Sequence, residues 1–214
     1  MSGRTAGAAL LAATMAHIAA GCGGADGNTT APAAAVRRAG PSKLAGAAVL
    51  PGSPALDFSL RDAYGHAVRL SAQRGRVVLL TFLYTQCRDV CPVIAAHLNT
   101  VLRELGPARQ EATVIAVSVD PARDTPAAVR AYTQLHQLAP EFHFVSRPMA
   151  ALRQVWQNYN VLAIARNQEV IDHSAPTLLI DRRGRPRAYY LPGFRTSDVL
   201  HDVRLLLAER ASAS

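Results

Sequence analysis

Two cysteines lie close together in the sequence, and their spacing allows either metal binding or redox chemistry. Cys87 and Cys91 stand in the stretch "TFLYTQCRDVCPV" with three residues between them, one more than in a C-x-x-C redox motif. Residues four apart on a helix have Cβ atoms about 5–6 Å apart, so both sulfurs can reach one metal ion. A disulfide requires Cβ atoms about 3.8 Å apart and would need the first cysteine off the helix. The spacing permits both functions and mildly favours ligation.

The residue types indicate which metal such a site would take. Cysteine thiolates are soft ligands that suit Cu(I), and an added imidazole would improve the site for Cu(II). Of the seven histidines, His173 is singled out because it precedes an apolar strand in the stretch "DHSAPTLLID". The other histidines are interpreted as surface or core residues. Zinc is disfavoured because a structural zinc site requires four ligands and the sequence offers three.

The third cysteine follows a short apolar stretch near the N-terminus. Residues 5–20 are mostly small and apolar, and the stretch ends in "AAGC" at Cys22, which is the pattern of a secretory signal. The run is shorter than the ~20 residues that span a bilayer. A cysteine after "AAG" resembles a bacterial lipobox, although Ala19 stands where such signals usually have Leu. We therefore expect a signal peptide over residues 1–21, a lipid anchor at Cys22, and a location on the extracytoplasmic, periplasmic side of a bacterial cytoplasmic membrane. The alternatives are an ordinary secreted protein or an uncleaved anchor.

A strand and a helix are predicted to position the cysteine pair. Residues 75–85 form a nearly continuous apolar run, typical of a strand buried on both faces of an α/β sheet. Residues 91–105 have apolar side chains at helical spacing, and Pro92 lies where a helix start tolerates proline. Cys87 is therefore expected just past a strand and Cys91 in the first turn of a helix.

The order of the other elements predicts the fold class. Residues 22–50 are rich in Gly, Ala, Thr and Pro and are predicted to be a flexible membrane tether, so the folded domain is expected over residues 51–210. The pattern indicates a mixed sheet flanked by helices, compatible with a thioredoxin-like α/β fold with an N-terminal β-hairpin. The remaining predicted elements are a hairpin over 51–70, strands over 112–120, 141–146, 176–181 and 187–191, and helices over 124–138, 149–160 and 196–210, the first of these helices capped by Asp124 or Thr125.

This fold class suggests how His173 reaches the cysteines. In thioredoxin-like folds, a proline before one strand packs beside the cysteine motif, typically after a cis peptide bond. Ala175–Pro176 fits that position in this sequence. His173 would then lie close to Cys87 and Cys91.

Four stretches of the sequence match one known family of proteins. They are "DFSLRDAYGHAVRL", "FLYTQCRDVCP", "VSVDPARDTP" and "DHSAPTLLID". With them, residues 54–206 resemble the Sco/SenC family of membrane-attached copper proteins, although Arg88 replaces a common proline. The resemblance implies that Cys87, Cys91 and His173 are copper ligands. It also implies a function in assembling the binuclear copper centre of cytochrome c oxidase, with a copper-receiving oxidase subunit as the partner.

Two other activities remain open. A thiol–disulfide oxidoreductase would use Cys87 and Cys91 as a redox-active pair to keep the partner's cysteines reduced, and it would not need His173. A peroxidase of the peroxiredoxin kind is disfavoured, because its T-x-x-C motif is absent: Thr85 stands only two residues before Cys87. We therefore expect a metallochaperone rather than an enzyme. Asp89 and Asp120 are interpreted as turn or capping residues; the alternative is that either one tunes the metal site or contacts a partner.

The charge of the chain bears on its partners. The formal charge is +8, almost all of it from arginine. The arginines are scattered, apart from a cluster at residues 182–187 that is interpreted as a solvated turn. A basic surface of this kind favours acidic partners or anionic lipid. We expect a monomer that does not bind nucleic acid.

Overall fold

A computed structural model describes residues 44–49, 52, 54–161, 163–166, 170–173 and 176–209. These residues form ten strands and four α-helices. The strands are β1 (Ala47–Ala48), β2 (Ser59–Asp62), β3 (Ala67–Arg69), β4 (Val77–Leu83), β5 (Ala112–Ser118), β6 (Phe142–Arg147), β7 (Ala163–Arg166), β8 (Val170–His173), β9 (Thr177–Ile180) and β10 (Pro186–Tyr190). The helices are α1 (Val90–Glu104), α2 (Pro126–Leu135), α3 (Met149–Asn158) and α4 (Thr196–Ala208). The predicted signal peptide and Cys22 lie outside the described residues.

Eight of the strands form one mixed sheet in the order β1-β10-β9-β4-β5-β6-β2-β3. The pairs β4–β5 and β5–β6 are parallel, and the other pairs in the sheet are antiparallel. This arrangement, with helices packed on the sheet, confirms the predicted fold class. The antiparallel pair β2–β3 is the hairpin predicted within residues 51–70.

The two central strands hold the cysteine motif in place. Every residue of β4 and β5 is buried, as the apolar runs in the sequence predict. Helix α1 follows β4 and buries Leu98 and Leu102 completely. It ends before Gly106, whose φ of +57° favours a residue without a Cβ atom. Both elements that flank the cysteine pair are therefore fixed by the core.

The start of α2 settles the choice between two predicted capping residues. Thr125 is the N-cap, and its Oγ1 accepts the backbone N–H of Ala128 at 3.2 Å. Pro126 is the first helical residue, where its missing N–H has no cost. The carboxylate of Asp124 is therefore available for other contacts.

Part of the segment predicted as tether is attached to the domain. β1 falls within residues 22–50, and Ala47 pairs with Tyr189 of β10. The backbone N–H groups of Ala45 and Gly46 each donate to the carboxylate of Asp202 in α4, both at 2.8 Å. Residues 45–48 are thus attached to the sheet and to α4, whereas the earlier residues of the predicted tether, up to 43, lie outside the description.

A second, two-stranded sheet carries His173 and was not predicted from the sequence. β7 and β8 form an antiparallel pair in which Ala163 is opposite His173. The side chains of residues 162–175 lie outside the description, as does Ala175 itself. The predicted cis peptide at Ala175–Pro176 therefore also falls outside it. Within the described part of the chain, no helix is both long enough and apolar enough to cross a bilayer.

Candidate metal centre

Cys87 and Cys91 meet where β4 ends and α1 begins. A loop of six residues joins Leu83 to Val90, and the backbone N–H of Cys87 donates to the carbonyl of Tyr84 at 3.3 Å. Cys91 is the second residue of α1. The structure thus brings the two predicted cysteines together at the position that the sequence indicated.

The sulfur of Cys87 serves as the capping acceptor of α1. Asp89 occupies the N-cap position, but its side chain makes no capping hydrogen bond. Instead, the backbone N–H of Cys91 donates to Sγ of Cys87 at 3.4 Å. The first N–H groups of a helix lack partners within it and form the positive end of the helix dipole. This position stabilises a thiolate on Cys87.

The two thiols have opposite acidities. The hydrogen bond from the Cys91 side chain is the main cause that lowers the pKa of Cys87 to about 5, helped by the backbone N–H groups of Asp89 and Cys91 and by the side chain of Tyr84. Burial of Cys87 opposes this effect. The pKa of the Cys91 thiol is raised, first because it donates to Cys87 and second because it is buried. The contact between the two thiols therefore favours the charged form of Cys87 and the neutral form of Cys91.

The two cysteines also differ in solvent exposure. Cys91 has no exposed surface, whereas Cys87 is partly exposed. Neither cysteine is in a disulfide. An incoming metal ion or disulfide would meet Cys87 first, because its sulfur is both accessible and ionised.

A buried carboxylate supports the loop that carries Cys87. Oδ1 of Asp124 accepts the backbone N–H of Thr85 at 2.8 Å and the hydroxyl of Thr85 at 2.7 Å, and Oδ2 accepts the hydroxyl of Ser118 at 2.5 Å. Burial is the main cause that raises the pKa of Asp124 to about 6. The sequence pattern does not indicate this contact, because an aspartate before a predicted helix indicates a cap. Tyr84, which helps to lower the pKa of Cys87, was also not identified from the sequence.

The two aspartates considered near the site, and one residue that the sequence analysis did not single out, have the following surroundings. Asp89 is exposed. The carboxylate of Asp120 forms an ion pair with Arg123, and its backbone carbonyl accepts the N–H groups of Arg123 and Asp124 in a turn. The indole N–H of Trp156 donates to the carbonyl of Ser118 at 2.9 Å and so packs α3 against the end of β5.

The predicted third ligand, His173, ends β8, but the description does not extend to its side chain. β9 begins at the sheet edge where β4 ends, because Leu178 pairs with Leu80 in an antiparallel register. The hydroxyl of Thr177 donates to that of Thr81 at 3.1 Å. His173 is four residues before Thr177, so their Cα atoms are at most about 14 Å apart. Among the described side chains, no group of three or more His, Cys, Asp or Glu is placed to hold a metal ion. The three-residue ligand set stays a prediction.

Comparisons with known proteins give consistent results over most of the chain. The model of the SCO1/SenC family matches residues 51–208. The mitochondrial SCO2 homolog of Bos taurus is 32% identical over 160 residues, which is 71% of this chain and 59% of that protein.

Solved structures share the same fold. ScoI of Bradyrhizobium japonicum, solved with copper bound, is 30% identical with a TM-score of 0.65, over 72% of this chain and all of that one. BsSco is described as having a disulfide switch and as a member of the Sco family of cytochrome c oxidase assembly proteins. It matches with a TM-score of 0.63 over 77% of this chain and 99% of that one, and its 19% identity supports the fold alone.

Proposed function

This chain belongs to the SCO1/SenC family, and we propose that it binds one copper ion and delivers it to a copper-receiving subunit of cytochrome c oxidase. The observation that carries the proposal is the placement of Cys87 and Cys91 at the N-terminus of α1, where the accessible sulfur of Cys87 accepts the N–H of Cys91 and a second sulfur lies beside it. Thiolates are the ligands that Cu(I) prefers. The copper-bound relative from Bradyrhizobium japonicum supports copper as the metal.

In this proposal, Cys87, Cys91 and His173 hold the copper ion. Cys87 provides the first thiolate, and Cys91 becomes the second ligand when its proton leaves. His173 adds an imidazole, which extends the site to Cu(II). Because Cys87 is partly exposed, a cysteine of the receiving subunit has access to the copper and exchanges with one ligand at a time.

Oxidase assembly in cells that carry His173→Ala tests copper delivery. We expect loss of oxidase activity, with recovery when copper is added to the medium, because both sulfurs remain and the site is weakened rather than removed. His66→Ala is the matched control, since its side chain is 78% exposed and lies in the β2–β3 hairpin. Normal oxidase activity in His173→Ala, together with failure of Cys87→Ser, would contradict copper delivery.

Thiol–disulfide exchange is the second candidate function, and the unequal thiols favour it. The Cys87 thiolate attacks a partner disulfide and forms a mixed disulfide, which releases one partner thiolate. Cys91 then loses its proton and attacks Cys87, which leaves a Cys87–Cys91 disulfide and a reduced partner. This reaction does not involve His173, so His173→Ala should keep full activity in a disulfide reduction assay. Retained reductase activity with failed oxidase assembly separates the two functions.

We also propose that the protein is attached to the extracytoplasmic side of the membrane through a lipid on Cys22. The support is the apolar stretch that ends in "AAGC". The protein should fractionate with membranes and incorporate labelled palmitate, and Cys22→Ser should abolish both. A soluble wild-type protein whose mature N-terminus is not Cys22 would contradict the anchor.

A further inference from the structure

The side chain of Asp124 is fully buried, and its hydrogen bonds join two segments near the cysteines, the loop after β4 and the end of β5. It has no exposed surface. Its two oxygens accept three hydrogen bonds, two from Thr85 and one from Ser118. The carboxylate thereby ties the loop after β4 to the last residue of β5. A buried carboxylate is stable only when it is well hydrogen-bonded, so these contacts fix both partners closely.

Thr85 is the link between this carboxylate and the reactive sulfur. It is the second residue of the turn that the Cys87 N–H closes on the Tyr84 carbonyl. Both donors of Thr85, the backbone N–H and the hydroxyl, are bound to the same oxygen of Asp124. The orientation of this turn is therefore set by Asp124 rather than by solvent.

The contact between the Cys87 sulfur and α1 depends on that orientation. The backbone N–H of Cys91, in the first turn of α1, donates to this sulfur at 3.4 Å. Such bonds are directional and weaken steeply when an atom is displaced. A change in the turn would move Sγ away from this N–H and from the N-terminus of α1.

We propose that Asp124 is a positioning residue for Cys87: its carboxylate holds Thr85 and thereby keeps the sulfur against the N-terminus of α1. Asp124 does not contact the metal or the partner in this proposal. The inference concerns the reactive sulfur of the proposed function, but it is tested on the metal-free protein. Its failure would therefore leave copper delivery untouched, and failure of copper delivery would leave it untouched.

The test measures alkylation of Cys87 in the reduced, metal-free, full-length protein purified in detergent. Iodoacetamide reacts with the thiolate, and mass spectrometry of the Cys87 peptide gives its rate separately from the other cysteines. At about pH 6.5 we expect Asp124→Ala to slow the reaction by about twofold or more, because Sγ moves away from the helix N-terminus that favours its ionised form. Thr85→Val should slow it by a smaller factor, and Thr85→Ser, which keeps the hydroxyl, should retain the wild-type rate.

The direction of the rate change in Asp124→Ala distinguishes a positioning role of Asp124 from a purely electrostatic one. Removal of a nearby negative charge favours a thiolate, so a purely electrostatic role predicts an equal or faster rate in Asp124→Ala. Asp202→Asn is the matched control: Asp202 is equally buried and binds the backbone of Ala45 and Gly46, so its loss should leave the rate unchanged. An unchanged or faster rate in folded Asp124→Ala would overturn the proposal. If a thermal melt shows that this variant is unfolded, equal rates in Thr85→Val and Thr85→Ser would overturn it instead.

Discussion

Replacement of Cys91 by alanine should raise the pKa of Cys87. The hydrogen bond from the Cys91 side chain is the largest cause that lowers this pKa to about 5. A hydrogen bond to a charged group contributes about 1.5–3 kcal/mol, and one pKa unit corresponds to about 1.4 kcal/mol. Loss of this bond in Cys91→Ala should therefore raise the pKa by about 1–2 units, from about 5 to about 6–7.

The assay is the rate of Cys87 alkylation as a function of pH. The midpoint of the profile reports the pKa of the thiol, and mass spectrometry of the Cys87 peptide excludes signal from Cys22. Cys91→Ser is the matched variant, because a serine hydroxyl donates a hydrogen bond from the same position. We expect its midpoint to lie between those of the wild type and Cys91→Ala.

The result that would refute this reasoning is a midpoint in Cys91→Ala equal to or below that of the wild type. Such a result would mean that the backbone N–H groups at the start of α1 set the acidity of Cys87 without help from its neighbour. The description of Cys91 as the proton donor of the pair would then be wrong. The capping role of the Cys87 sulfur, which rests on the backbone N–H of Cys91, would remain.

Three further predictions follow from the described contacts. Asp202→Ala leaves the N–H groups of Ala45 and Gly46 and the Tyr190 hydroxyl without their acceptor. Urea denaturation should therefore show a loss of about 3 kcal/mol in the free energy of unfolding. An unfolding free energy equal to that of the wild type would contradict this prediction. Gly46→Ala places a Cβ atom 2.6 Å from the Tyr190 ring and should cost about 1–3 kcal/mol, which an unchanged thermal melt would rule out. Because the pKa of Cys91 is raised, this thiol is protonated in the metal-free protein and must lose its proton to bind copper. Copper affinity, measured by competition with a chelator, should therefore fall by about tenfold or more for each unit that the pH is lowered; an affinity independent of pH would show that Cys91 is not a ligand.

The elements around the cysteines were predictable because their signals are local. The apolar run before Cys87 and the helical spacing after Cys91 predict the bounds of β4 and α1 closely. Gly106 marks the end of α1 in both sequence and structure. The opposite acidities of the two thiols were not predictable. They depend on which sulfur caps the helix and which is buried, and these features follow from the backbone path of the loop.

The contacts that sequence reasoning missed join residues far apart in the chain. β1 consists of two alanines without a pattern, and its attachment depends on Asp202, which is 157 positions from Ala45. Asp124 precedes a helix, so the pattern predicts Asp124 or Thr125 as the cap, whereas the hydrogen-bond partner of Asp124, Thr85, is 39 positions away. Strands β7 and β8 have four residues each and contain both apolar and charged side chains. Such short segments lack the regular alternation that predicts a strand.

Elemental analysis of copper bound per chain tests the central claim most directly. The reduced full-length protein is exposed to copper, freed of excess metal and compared with Cys87→Ser and Cys91→Ser. We predict one copper per chain in the wild type and no tightly bound copper in either variant, because a single remaining thiolate is a poor site. A wild-type protein that retains no copper, or a Cys87→Ser variant that still retains one per chain, would contradict the proposed metal centre.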